Sequence, residues 1–313
     1  MDRITDRRII VVTRKTRLES LIIQYNTFEQ AKFVIEHSES DFDYYVNEDK
    51  QYKKVILEAI SILENIGLVQ VLDREYVSNF IFGKDDIIVV IGQDGLVANT
   101  LKYLDKQPLI GINPDVREYE GVLVPFSIND LSKIIMDLLR EQRKFKEITL
   151  ARADLNDGQS LLAVNDLFIG QKTHVSARYI LEYKSQCERQ SSSGIIVSTG
   201  LGSTGWFKSI LEGASKIVNG CVNNTSISVK KDDKFTWNSE FLYYTVREPY
   251  PSKTTQSNMV FGKISKGNSF KIKSLMSENG VIFSDGVEND FLNFNSGSEV
   301  TISIADKKGL LVI

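Results

Sequence analysis

"IIVVIGQDGLVANTLKYL", residues 87–104, is the stretch on which the reading of this chain turns. Five apolar residues, Ile87 to Ile91, give way to Gly92-Gln93-Asp94-Gly95 and then to a helical pattern. A run that is apolar at every residue suits a strand buried on both faces of a parallel sheet, and ligands bind beyond the carboxyl ends of such strands. Gly92 and Gly95 let the backbone turn sharply and let a phosphate approach its N–H groups, while the following helix aims its positive end at the same place. A carboxylate there repels phosphate. Asp94 is therefore better employed in holding Mg²⁺, or in accepting a proton from a hydroxyl that is about to attack a phosphoryl group. The alternative is a plain turn between strand and helix, with Asp94 capping the helix.

Outward from this stretch, IIVV (9–12) and PLIGI (108–112) repeat the buried-strand pattern between amphipathic helices. Residues 1–146 thus read as an α/β domain with a doubly wound parallel sheet. Ile56, Ala59, Ile60, Leu63 and Ile66 share one helical face, with Gly67 as the expected C-cap. A second helix is expected over 128–144, with EQRKFK as its solvated end.

Past residue 147 the pattern changes to short alternating segments, EITLARADL, RYILEYK, SISVKK, FLYYTV and SFKIKSL, divided by Gly, Asn, Asp and Ser. Residues 147–313 are expected to form a β-rich, sandwich-like domain. CERQSSSG (187–194) reads as an exposed hairpin loop. The exception is GIIVSTGLGSTGWFKSILEGASKI (194–217), a strand that meets a Gly/Ser/Thr-rich loop and then a helix. One helical excursion in a β-rich half marks a place to look for a site.

The 313 residues carry 38 basic and 41 acidic side chains, a net charge of -3. No bias toward nucleic acid or membrane follows from such a balance, so the expected partner is a small molecule. Two cysteines, Cys187 and Cys221, are too few for a disulfide framework, and no stretch approaches the ~20 apolar residues of a membrane span. A cytoplasmic setting is expected.

GQDG (92–95), VNDLFIG (164–170) and STGLGSTGW (198–206) stand in that order along the chain. In this they resemble the NAD kinases, whose GGDG phosphate loop is shared with diacylglycerol kinases and phosphofructokinases, and whose "NE" segment and TGSTAY-like loop follow it. GINPDVREYEG (111–121) and the strand near the start are most similar to the mitochondrial-type branch. The resemblance implies an α/β domain followed by a sandwich-like one, with an active site in the cleft between them and homo-oligomers, dimers or tetramers, that complete it. It also implies transfer of the γ-phosphoryl group of ATP, with Mg²⁺, to the 2′-hydroxyl of the adenosine ribose of NAD.

Carried over by position, Asp94 would touch the ribose hydroxyl while Gly92 and Gly95 shape the phosphate cradle. Asn165 and Asp166 would hydrogen-bond the dinucleotide. Thr199 and Ser203 would supply hydroxyls around adenine or phosphates, Gly202 a close approach, and Asn113 part of the cleft wall. Asn165-Asp166 as a strand-entry turn and Ser203-Thr204 as a helix cap are the plainer alternatives; Asp285-Gly286 resembles the DG near the end of the family's sandwich domain and reads equally well as a hairpin turn. His37 and His174 read as surface residues.

Gln93 stands where the family has a second glycine, and Leu96 and Leu201 stand for threonines. The expected effect is a weaker hold on phosphate. A non-catalytic nucleotide-binding relative, or a kinase of another small molecule such as a sugar or lipid, is therefore the alternative to an NAD kinase.

Overall fold

The computed structural model describes residues 3–38, 40–222, 226–229 and 232–313. The chain forms two compact units, one of Met1–Lys146 with Leu310–Ile313 and one of Glu147–Gly309.

In the first unit the order is β1 (Arg8–Thr13), α1 (Arg17–Tyr25), α2 (Phe28–His37), α3 (Phe42–Glu64), β2 (Leu68–Asp73), β3 (Ile87–Ile91), α4 (Asp94–Leu101), β4 (Pro108–Ile112) and α5 (Leu131–Leu139). The strands run β2-β1-β3-β4, all parallel. Leu310 and Leu311, returning at the end of the chain, add parallel pairing beside β4. Ile9, Val11, Ile87 and Val89 pack with Val55, Ala59 and Leu63 of α3 and with Leu131, Ile134 and Ile135 of α5. The alternate residues Ile10, Val12, Ile88 and Val90 are equally buried, so both faces of the sheet are covered. Full burial of each such side chain contributes roughly 1.5–3 kcal/mol, which is why the apolar run holds β3 at the centre.

Two helix expectations change. The helix around Ile56–Ile66 is α3, which begins at Phe42 and buries Tyr52, Val55, Ala59 and Leu63, with Asn65 at its C-cap. Gly67 lies beyond it. A Cβ there would stand 2.9 Å from the carbonyl oxygen of Arg7, so close packing accounts for this glycine. The helix expected over 128–144 is α helical only over Leu131–Leu139; Glu141 turns into the left-handed region at φ 57, and EQRKFK leads out of the helix into the next strand.

The second unit contains β5 (Phe145–Leu155), β6 (Ser160–Ala163), β7 (Asp166–Gln171), β8 (Ala177–Tyr183), β9 (Gln186–Ser192), β10 (Ile195–Ser198), α6 (Trp206–Cys221), β11 (Phe241–Val246), β12 (Phe261–Ser265), β13 (Phe270–Ser274), β14 (Gly280–Ser284), β15 (Val287–Asn293) and β16 (Glu299–Val312). β5 starts and β16 ends in the first unit. One antiparallel sheet runs β12-β11-β10-β7-β14-β15, and the second joins β16, β13, β8 and β9, with β5 and β6 at its side. Leu167, Ile169, Ile195, Leu242 and Ile282 of the first meet Ala151, Leu181, Phe270 and Ile302 of the second in one apolar core. That is the sandwich expected from alternation. Phe168 points the other way, where Ile196, Trp206 and Ile210 seat the start of α6.

CERQSSSG is not a loop. Most of it is β9, whose alternate residues Glu188, Gln190 and Ser192 are buried. Glu188 accepts from the backbone N–H groups of Asn258 (3.1 Å) and Met259 (3.0 Å), and Ser192 Oγ lies 2.6 Å from the Tyr179 hydroxyl. Polar side chains face inward here because each finds a partner. SISVKK does not form the expected strand over Ser226–Val229, and Lys230 and Lys231 lie outside the described residues.

Candidate active site

In the first unit β3 ends at Ile91, and the Gly92 N–H donates to the Ile112 carbonyl (3.1 Å), which sets the loop beside the end of β4. Gln93 occupies the N-cap of α4 without a side-chain cap, and Asp94 is the first helical residue. Asp94 caps no N–H of its own helix. Its Oδ1 accepts from the Leu123 N–H (2.8 Å) and its Oδ2 from that of Val122 (3.2 Å), so the carboxylate ties the loop after β4 to the start of α4. Gly95 has no atom within 4 Å of the place a Cβ would take, which leaves open space beside the first helical turn.

The loop after β4 is also held by Asn113. Its Nδ2 donates to the Tyr119 carbonyl (3.0 Å) and its Oδ1 accepts from the Asp115 N–H (3.0 Å), so both ends of the amide are used within the loop. Gly121 closes the loop at φ +68, where a Cβ would crowd Asn113 Nδ2 at 2.9 Å. Gly92, Asp94, Gly95 and Asn113 are thus gathered at the carboxyl ends of β3 and β4, where an open parallel sheet binds ligands.

The second unit gathers the other expected residues. Asn165 links β6 to β7, and its carbonyl accepts from the Thr199 N–H (2.9 Å). Thr199 Oγ1 donates to the Val164 carbonyl (2.6 Å) and accepts from the Gly202 N–H (3.2 Å). A Cβ on Gly202 would fall on the Asn165 carbonyl and within 2.7 Å of Ser198 Oγ, so only glycine lets the two loops lie this close. Ser203 sits in the short 3₁₀ turn Gly202–Thr204 before α6. Gly205 is the N-cap of α6, with no side-chain cap, so Ser203-Thr204 does not serve as one.

Asp285 underlies this arrangement. It is in the turn between β14 and β15, at φ 55 with Gly286 at φ 70. It also reaches across the unit. Its carboxylate accepts from the backbone N–H groups of Val164 (3.0 Å), Asn165 (2.6 Å) and Asp166 (3.3 Å), and its own N–H donates to the Asp166 carbonyl (3.0 Å). The strand-entry turn at Asn165-Asp166 is therefore clamped from one side by Asp285 and from the other by Thr199 and Gly202.

Asp166 begins β7 opposite Ser198. Burial pushes its carboxyl up to about 7, against a hydrogen bond with Ser198 and aided by the nearby Asp285 charge. Its Oδ1 is buried without a partner. An acceptor held in this state offers a strong contact to a ligand hydroxyl. His37 and His174 are both exposed, and His37 packs on Phe33 in α2.

No protein-family model matches the chain. Among curated proteins it is 27% identical over 176 residues to an NAD kinase of Clostridium botulinum, covering 51% of this chain and 60% of that protein. It is 23% identical over 320 residues to the human mitochondrial NAD kinase 2, covering 80% and 72%. The match thus spans about 60% of the length of the bacterial relative.

Among solved structures the fold is similar to yeast NADH kinase in complex with NADH, with a TM-score of 0.62, 12% identity, and 98% and 84% of the two chains covered. It is also similar to an Archaeoglobus fulgidus NAD kinase in complex with ATP, with a TM-score of 0.57, 17% identity, and 98% and 93% covered. The fold, an α/β unit with a parallel sheet joined to an antiparallel β-rich unit, is the one seen in kinases of nicotinamide dinucleotides. In sequence as in fold, the chain is thus similar to NAD kinases.

Proposed function

We propose that the chain is an ATP-dependent NAD kinase that phosphorylates the 2′-hydroxyl of the adenosine ribose of NAD to give NADP. The observation that carries this reading is Asp94, a carboxylate at the first residue of α4, at the end of a fully buried strand, beside the open space at Gly95. Phosphoryl transfer depends mainly on positioning and charge neutralisation, so one carboxylate and a set of backbone donors suffice. Each Asp94 oxygen accepts a single N–H in the structure, which leaves acceptor capacity on both.

In this reading Asp94 takes the proton of the ribose hydroxyl as its oxygen forms a bond to the γ-phosphorus. The bond from that phosphorus to the β,γ-bridging oxygen breaks and ADP leaves. Asn165 and Asp166 hold the dinucleotide through amide and carboxylate contacts, with Thr199, Gly202 and Ser203 beside them. Mg²⁺ bound with ATP would supply charge neutralisation at its phosphates. Among the described residues no group of three or more His, Cys, Asp or Glu is placed to hold a metal ion. Mg²⁺ commonly binds through one or two carboxylates together with substrate phosphates and water, so Asp94 would be the residue to hold it in the alternative where it does not act as the base.

A homo-oligomer, dimer or tetramer, belongs to the same reading, and sedimentation equilibrium of the full chain tests it. Both cysteines are free and exposed, in keeping with a reducing, cytoplasmic setting. No helix among the described residues is long and apolar enough to cross a membrane.

The test is NADP formation from ATP, Mg²⁺ and NAD by the parent and by Asp94→Asn, with calorimetric NAD titration of both. NADP made by the parent and lost in the variant, with NAD still bound, supports Asp94 as the base. Binding without NADP in both proteins would instead favour a non-catalytic relative or a kinase of another acceptor.

A further inference from the structure

A cavity of about 160 Å³ lies within the first unit, between the N-terminal half of α3 and the loop after β4. Its floor belongs to the same end of the sheet as the GQDG loop. The Tyr52 hydroxyl donates to the carbonyl of Ile91 (2.7 Å), the last residue of β3, and accepts from the Arg14 N–H (3.0 Å) at the end of β1. Its far wall is the loop whose later residues, Val122 and Leu123, bind the Asp94 carboxylate.

The polar groups around it are unevenly satisfied. Arg14 and Glu48 pair through a single contact, Nη2 to Oε1 at 2.7 Å, with both side chains largely buried. Arg14 Nε and Glu48 Oε2 are left buried without partners, and so is the Tyr119 hydroxyl. All three side chains line the cavity. A native fold leaves few such atoms unmet, and three around one cavity call for an occupant.

Size and charge narrow what that occupant is. One ordered water needs about 10–15 Å³ measured in this way, whereas sites for drug-sized ligands run to about 300–1,000 Å³. The space thus fits a ring system and not a whole dinucleotide. Arg14 is paired with Glu48 and Arg117 with Asp115, while Glu118 accepts from the Tyr44 hydroxyl (3.1 Å). Both guanidinium groups of the lining are already neutralised, so the cavity does not suit phosphate. Tyr44, Tyr52 and Tyr119 supply apolar ring surface for a flat group.

We infer that this cavity receives a 6-aminopurine base, with its amino group donating to Glu48 Oε2 and its N1 accepting from Arg14 Nε. A monodentate guanidinium–carboxylate pair leaves one donor and one acceptor side by side, which matches the adjacent acceptor and donor on that edge of the base. The inference rests on the kinase reading for its nucleotides, since ATP and NAD both carry the base, and the test separates the two sources.

The experiment uses the full chain, Glu48→Gln, and Asn47→Trp, which puts a large ring on an exposed position of the cavity lining. Adenosine and inosine titrations are followed by calorimetry. Where NADP is formed, KM is measured for ATP against ITP and for NAD against its hypoxanthine analogue. Inosine reverses both hydrogen bonds, so the parent should prefer the 6-amino compound by about tenfold or more, because leaving buried partners unmet carries at least that penalty. Glu48→Gln should lose most of this preference, since its amide can turn. Asn47→Trp should weaken adenosine and raise KM for only one substrate, ATP or NAD, which identifies the source. Adenosine binding that both variants weaken, in a protein that makes no NADP, would support the cavity while ending the reading as an NAD kinase. A parent that binds neither nucleoside, or binding and preference unchanged in a folded Asn47→Trp, overturns the inference and leaves a cavity filled by water only.

Discussion

Replacing Asp285 tests whether the Asn165-Asp166 turn is built by a distant carboxylate or by its own sequence. Two of the three backbone donors to Asp285 are well placed, Asn165 at 2.6 Å and Val164 at 3.0 Å, while the Asp166 N–H at 3.3 Å is long. Hydrogen bonds to a charged group contribute about 1.5–3 kcal/mol each, so two of them give about 3–6 kcal/mol for Asp285→Ala. For a unit of this size each kcal/mol moves the midpoint by about 2–4 °C, so the shift should be roughly 6–24 °C. Asp285→Ala also strains the turn, because alanine disfavours the φ of 55 found there.

Asp285→Asn separates the two effects. Asparagine accepts the left-handed conformation and keeps one acceptor oxygen, so it should lose roughly half as much as alanine. Thermal unfolding by circular dichroism gives the stability, and NAD titration gives the functional cost. NAD affinity should fall in both variants, because the freed turn no longer presents Asn165 and Asp166 in one geometry. The reasoning is refuted if Asp285→Asn unfolds within about 1 °C of the parent and binds NAD equally well, since two charged contacts of this size cannot vanish without a trace.

Three further outcomes follow from neighbouring residues. Asp166, held up at about 7 chiefly by burial, keeps a proton in the folded state that the unfolded chain releases near its ordinary value of about 4, so stability falls as pH rises through about 4 to 7 and is flat above; Asp166→Asn should remove this loss and be more stable at pH 8, by up to about 3–4 kcal/mol, and a variant that unfolds earlier than the parent at pH 8 contradicts this. Gln93→Gly should lose about 0.4–1 kcal/mol by unfolded-state freedom without raising NADP formation, whereas a large gain in rate would mean that the backbone at this position needs glycine after all. Gly202→Ala should displace the Asn165 carbonyl and lower the melting temperature along with NAD affinity, and an unchanged melting temperature would show that the two loops separate freely.

How much could be read from the sequence depended on whether a residue's partner is local. β3 was legible because burial on both faces leaves an apolar run, and the α3 core face because it repeats at helical spacing. β9 was not, because its buried face is made of Glu188, Gln190 and Ser192, whose partners at Asn258, Met259 and Tyr179 are supplied only by the fold. Asp285 escaped for the same reason. An Asp-Gly pair predicts a turn, and the turn is there, but its carboxylate serves N–H groups about 120 positions earlier. The three ordered motifs were visible as residues. The clamp that orders two of them was not.

The structure also changes the weight of the three departures from the family pattern. Gln93 adopts φ -102 and ψ 166, an extended conformation open to any residue, so losing a glycine there costs no special backbone geometry. Leu96 and Leu201 are buried, and each replaces a hydroxyl with apolar packing. What remains for an anion at α4 is the main chain. The N–H groups of Leu96 and Val97 are taken by the Gln93 carbonyl, while those of Asp94 and Gly95, in the first helical turn, have no intrahelical partner. No side-chain substitution removes those donors, and the open space at Gly95 keeps them approachable. The departures therefore bear on how tightly phosphate is held and which donor is preferred, and they leave in place the carboxylate and the backbone groups on which phosphoryl transfer at Asp94 would depend.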